Sequence, residues 1–106
     1  MLDVKMKEEL NQILNDNENV FVKFSTSWCG PCKMLAQTLK QIENECPNVK
    51  FVEIDVDEAQ YDFASDYQVM SVPKVMMFKN NKCVDTFVGA LPKNTLIERL
   101  KKTFGC

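Results

Sequence analysis

Between Val4 and about Leu14 the apolar residues Val4, Leu10, Ile13 and Leu14 fall near one side at helical spacing, and Asn15-Asp16-Asn17-Glu18-Asn19 then supplies turn-forming side chains. The spacing predicts an amphipathic helix. Val20-Phe21-Val22-Lys23-Phe24 follows as a nearly unbroken apolar run, the pattern of a strand covered on both faces of a mostly parallel sheet, with Lys23 its one anomaly. Beyond residue 32, Met34, Leu35, Leu39 and Ile42 recur at three- and four-residue steps until Pro47 forces an end, which predicts a second helix. Val49 to Val56 alternates as a second strand, and Glu58 to Tyr67, carrying Ala59, Phe63, Ala64 and Tyr67, reads as a third helix. Residues 75–78 and 83–88, around the polar turn Lys79-Asn80-Asn81-Lys82, predict a hairpin. A last amphipathic helix runs from Pro92 through Leu96, Ile97 and Leu100 to a Gly105-Cys106 tail. Strand and helix alternate, so the pattern predicts an α/β layer, and no linker or repeat divides residues 1–106 into more than one domain.

Composition narrows the function. With 45% hydrophobic residues among 106, the chain can bury a core without metal or disulfide staples. A formal charge of −2, with Lys and Glu interspersed, gives no basic footprint for nucleic acid or a membrane surface. The first nine residues hold no continuous apolar core, so a cytoplasmic, reducing compartment and a monomer are the expectations. Histidine is absent, which removes the commonest general base and metal ligand. Five cysteines include one close pair, which points away from a secreted disulfide framework and toward redox or metal chemistry.

That pair is Trp28-Cys29-Gly30-Pro31-Cys32. Two cysteines three apart at the start of a helix can close a small disulfide, and the unpaired N–H groups and positive dipole of the helix end favour a thiolate at the first. Pro31 stiffens the turn, Gly30 leaves room above the sulfur, and Trp28 offers a flat apolar wall. A zinc site would need Cys46, Cys83 or Cys106 as further ligands from scattered positions, and two merely structural thiols would gain little from Gly-Pro between them. The sequence has no dinucleotide-binding glycine motif, so no cofactor is expected and electrons must come from another protein.

Trp28 to Met34 with the strand before it, Val72-Pro73 and Val88-Gly89-Ala90 together resemble the thioredoxin family over nearly the whole chain. The resemblance implies a thioredoxin fold, a central mixed sheet, parallel then antiparallel, flanked by helices on both faces. It implies a protein-disulfide reductase of the electron-transport and cell-redox class, recharged by a thioredoxin reductase and acting on disulfide-containing proteins. Cys29 would be the exposed attacking thiolate and Cys32 the buried resolving thiol. Trp28, Gly30, Pro31, Val72, a cis Pro73, Lys74 and Gly89 would form the substrate-binding rim. Asp57 would bond the Trp28 indole and, with Lys23 and Glu53, move protons or tune the thiols. The chain departs from the family at Lys23, where an aspartate is common, and at Glu53, where some members have lysine, so acid and base look exchanged. The pair would lie beneath the dithiol, against the alternative that Lys23 snorkels to solvent. Gln37 replaces a helix-kinking proline, and Lys74 replaces a threonine and would charge the rim. Cys46 and Cys83 read as packing or surface thiols, and Cys106 as an end free to form intermolecular disulfides. A binding or subunit module of the same fold, its dithiol incidental, is the other reading.

Overall fold

The computed structural model describes residues 1–106. Strand β1 (Leu2–Asp3) leads to helix α1 (Lys7–Asp16), strand β2 (Asn19–Ser25) and helix α2 (Gly30–Ile42). A 3-10 turn (Glu43–Glu45) precedes β3 (Lys50–Asp55), and the chain continues through α3 (Phe63–Asp66), β4 (Lys74–Lys79), β5 (Lys82–Val88) and α4 (Lys93–Phe104). The five strands form one mixed sheet in the order β1-β3-β2-β4-β5, parallel on the β1 side of β2 and antiparallel beyond it.

Alternation along β2 distributes the core, because successive side chains point to opposite faces of the sheet. Val20, Val22 and Phe24 join Leu10 and Leu14 of α1, and Phe63 of α3, in one apolar cluster. Phe21, on the other face, joins Leu35, Leu39 and Ile42 of α2 and Leu96, Leu100 and Phe104 of α4. All of β2 is buried, as expected of a strand covered on both sides. Lys23 follows the parity of Phe21 and so faces the α2 layer. In the parallel β2–β3 ladder its partner is Glu53, so the two side chains emerge on one face from strands about 4.8 Å apart.

The outer elements correct the sequence reading in two places. Val4 is not helical; its N–H donates to Glu53 O at 2.9 Å, extending the short β1 that the sequence pattern did not reveal. The helix expected over Glu58–Tyr67 shrinks to Phe63–Asp66. Asp55 Oδ1 accepts the N–H groups of Asp57 and Glu58, drawing the chain after β3 into a turn, and Asp62 caps the late helix by accepting from Ser65 N–H at 3.0 Å. The hairpin stands, its Asn80 and Asn81 at φ 52° and 65°, the left-handed region that asparagine tolerates. Helix α2 is continuous through Gln37.

Candidate redox site

Where β2 ends, the chain turns through Thr26-Ser27-Trp28 and presents Cys29 as the N-cap of α2. A cysteine there faces the helix's orphan donors, and Cys29 Sγ accepts the N–H of Cys32 at 3.2 Å. Cys29 and Cys32 are joined as a disulfide with Cα atoms 5.2 Å apart, the spacing one helical turn imposes. Both residues are buried, Cys29 at 4% exposure and Cys32 at 2%, which corrects the expectation of an exposed Cys29. Access separates the two. Cys29 lines an open groove of about 560 Å³ together with Trp28, Gly30, Pro31, Asp57 and Val72, and Cys32 does not.

The bond between Val72 and Pro73 is cis, and Cys29 Sγ lies 3.6 Å from the Val72 carbonyl oxygen. Gly89, at φ 94°, donates its N–H to Pro73 O at 2.8 Å and so supports this loop from β5; any side chain there would be strained. Trp28 is 72% exposed, its indole N–H donating to Asp57 Oδ2 at 2.9 Å, so its ring is fixed as one wall of the groove. A Cβ at Gly30 would meet no atom within 4 Å, leaving space for an approaching backbone.

Beneath the dithiol, Lys23 is 1% exposed. Its ammonium donates to the Cys32 carbonyl oxygen at 3.0 Å and pairs with Glu53 Oε1 at 2.8 Å, so the snorkelling alternative does not hold. The same carboxylate oxygen accepts the Ser25 hydroxyl at 3.1 Å. Behind Glu53 a solvent-facing pocket of about 290 Å³ is lined by Asp3, Lys5, Ser25, Asp55 and Glu58. The cation is therefore sealed under α2 while its carboxylate partner looks toward water.

Lys74 sits elsewhere than the rim. Its ammonium donates to Tyr67 O at 2.9 Å and Gln68 O at 3.2 Å, spending its charge on the orphan carbonyls at the end of α3. Among the groove neighbours that escaped the sequence reading are Met70, 97% exposed, and Ser71. Their only signal was position just ahead of Val72-Pro73. Ser25, as the hydroxyl that holds Glu53, gave no signal apart from the strand register. The remaining cysteines correct the earlier picture as well. Cys46 and Cys106 are joined as a second disulfide, so neither is a free thiol, and Cys83 alone is free and exposed. No group of three or more Cys, Asp or Glu side chains is placed to hold a metal ion.

The thioredoxin family model matches residues 2–102. The chain is 39% identical over 101 residues to thioredoxin from Mycoplasmoides gallisepticum, covering 95% of this chain and 100% of that one. It is 40% identical to thioredoxin 1 of Synechococcus elongatus, covering 94% and 91% of the two. Among solved structures, Plasmodium falciparum thioredoxin superposes with a TM-score of 0.88 at 30% identity, covering 96% of this chain and 98% of that one.

Proposed function

The chain belongs to the thioredoxin family and is a thiol-disulfide oxidoreductase working through the Cys29–Cys32 pair, in which we propose that Cys29 is the attacking thiolate and Cys32 the resolving thiol. The observation that carries the assignment is access: Cys29 opens on the groove, whereas Cys32 lies behind it against the Lys23 side of α2. In the reduced protein the Cys29 thiolate, held by helix-end N–H groups, attacks one sulfur of a substrate disulfide, whose S–S bond breaks and whose other sulfur leaves as a thiolate, and so forms a mixed disulfide. Cys32 loses its proton and displaces the reduced product, which closes Cys29–Cys32. Members of the family need no cofactor beyond the cysteine pair and draw electrons from a reductase.

The substrate strand is read as lying along Trp28, Gly30, Pro31 and the Val72-Pro73 loop, with Gly89 holding that loop and Asp57 the indole. Lys23 and Glu53 are read as a relay for the Cys32 proton, in which the Lys23 ammonium gives a proton to the Glu53 carboxylate as it takes one from Cys32, and the carboxylate releases it to the pocket behind; burial of the lysine and the solvent-facing carboxylate support this. Residues 1–106 are read as one monomeric domain, reduced by an NADPH-dependent thioredoxin reductase in the cytoplasm. No helix is long and apolar enough to cross a membrane. The test is reduction of insulin by dithiothreitol. The chain accelerates it, Cys29→Ser gives the rate of dithiothreitol alone, and Lys23→Met alters the pH profile. Equal rates for the chain and Cys29→Ser would overturn the roles assigned to the dithiol, and an unaltered profile would remove the lysine from proton transfer.

A further inference from the structure

The Cys46–Cys106 disulfide has no part in the chemistry above. Cys46 ends the 3-10 turn that follows α2, and Cys106 is the last residue, just beyond Gly105, which turns the chain at φ 77° after α4. Their Cα atoms are 5.2 Å apart across 60 residues of sequence. The bond therefore ties the end of α4 to the end of α2 opposite the catalytic pair. The two sulfurs differ in access. Cys46 is 4% exposed and packs in the α2–α4 core, whereas Cys106 is half-buried at its margin. A small opening of about 100 Å³, lined by Ile42, Glu45, Ile97 and Leu100, leads to the pair.

The 13 residues of α2 separate the disulfides by roughly 20 Å at 1.5 Å per residue. Direct exchange between them within one molecule is therefore excluded. A dithiol that opens this site must therefore belong to another molecule, and the sulfur it meets first is the more accessible one, that of Cys106; exchange proceeds by attack of a thiolate on one sulfur with departure of the other. We propose that Cys46–Cys106 is a second redox site, opened in trans by the reduced dithiol of another copy of this chain. The proposal rests on the oxidoreductase reading, which supplies the reductant. Cys29 of the donor copy attacks Cys106 Sγ of the acceptor, the bond to Cys46 breaks, and Cys46 leaves as a thiolate that takes a proton from water. Donor Cys32 then gives up its proton and displaces Cys106, which leaves as a thiolate and is protonated. The donor ends with a Cys29–Cys32 disulfide and the acceptor with two thiols, two electrons having been transferred; of the two protons the acceptor gains, one comes from water and one balances the proton that donor Cys32 gives up. The consequence is local: opening frees the end of α4 from the turn after α2 and leaves the catalytic end of α2 in place.

The test separates donor and acceptor. The donor is Cys46→Ser/Cys106→Ser, reduced; the acceptor is Cys29→Ser/Cys32→Ser, air-oxidised; both carry Cys83→Ser, and the reaction is followed by acid quench, alkylation and mass spectrometry. The expected result is two new alkylated sites on the acceptor, at Cys46 and Cys106, formed at least tenfold faster than with glutathione at equal thiol concentration. A donor carrying Cys32→Ser as well is expected to arrest as a mixed disulfide between Cys29 and Cys106. An acceptor that stays oxidised while the same donor reduces insulin would overturn the proposal. Equal rates with glutathione, arrest at Cys46, or an acceptor that holds two free thiols after air oxidation would do the same. A donor inactive on insulin would instead sink the oxidoreductase reading, and this proposal with it.

Discussion

Removing either partner of the Lys23–Glu53 pair breaks the same 2.8 Å contact, but the two losses differ in cost. At that distance the attraction is about 6 kcal/mol at an effective dielectric constant of about 20, offset by a desolvation penalty of several kcal/mol for the buried ammonium. Lys23→Met removes the charge and its penalty together and keeps most of the volume. Glu53, its side chain 30% exposed, then keeps its Ser25 hydroxyl and meets water in the pocket behind it. Lys23→Met is accordingly expected to change stability by no more than about 1 kcal/mol in either direction. Glu53→Ala leaves a 1% exposed ammonium with the Cys32 carbonyl as its remaining partner, and the expected cost is about 3 kcal/mol, the low end for an orphaned buried charge because the emptied pocket admits water. The double variant should return to the Lys23→Met level. Urea unfolding of all four proteins reads this as a midpoint drop of about 2 M for Glu53→Ala, taking a slope of about 1.5 kcal/mol/M, against little change for Lys23→Met. Equal losses in the two single variants, or the larger loss in Lys23→Met, would refute the picture of a sealed cation answered by a solvated carboxylate.

Two further expectations lie away from the dithiol. Arg99 donates two hydrogen bonds to Asp85, each 2.8 Å, and these hold the Asp85 carboxyl below its ordinary range. The stability this contributes is present above the unfolded carboxylate's pKa and is lost as pH falls through the lower folded value. Asp85→Asn, which leaves Arg99 over the Phe87 ring, should therefore cost about 1 kcal/mol at neutral pH and progressively less as pH falls below the ordinary carboxylate range, by urea unfolding; a cost undiminished in acid would reject the ion pair as its source. Although Cys83 is exposed at the surface, partial desolvation of its sulfur pushes the thiol up. Its alkylation by iodoacetamide should still be accelerating with pH after a cysteine peptide has levelled off, and a rate that levels off first would contradict that.

How far the sequence disclosed this molecule depended on whether a feature was local or arose from long-range pairing. The all-buried β2, the turn at Asn80-Asn81 and the cysteine pair at the head of α2 follow from short stretches whose pattern admits few alternatives. Lys23 was visible as an anomaly, and comparison with the family gave Glu53 as its partner; the parallel register is the physical reason they meet. The 58–67 segment failed because Asp62 took the Ser65 N–H, which a helix begun at Glu58 would have given to the Tyr61 carbonyl, a competition that apolar spacing does not record. Lys74 was assigned to the rim by position in the chain, but two carbonyls at the end of α3 draw its ammonium away. Cys46 and Cys106, 60 residues apart, gave no hint of each other, because only the packing of α4 beside α2 brings them together.

The order of attack is tested most directly by trapping. Reduced Cys32→Ser protein mixed with a disulfide-bonded protein substrate, quenched in acid and peptide-mapped, should accumulate a one-to-one covalent adduct bonded through Cys29, while Cys29→Ser accumulates none. An adduct carried by Cys32 in the Cys29→Ser protein, with none formed at Cys29 in the Cys32→Ser protein, would contradict the account.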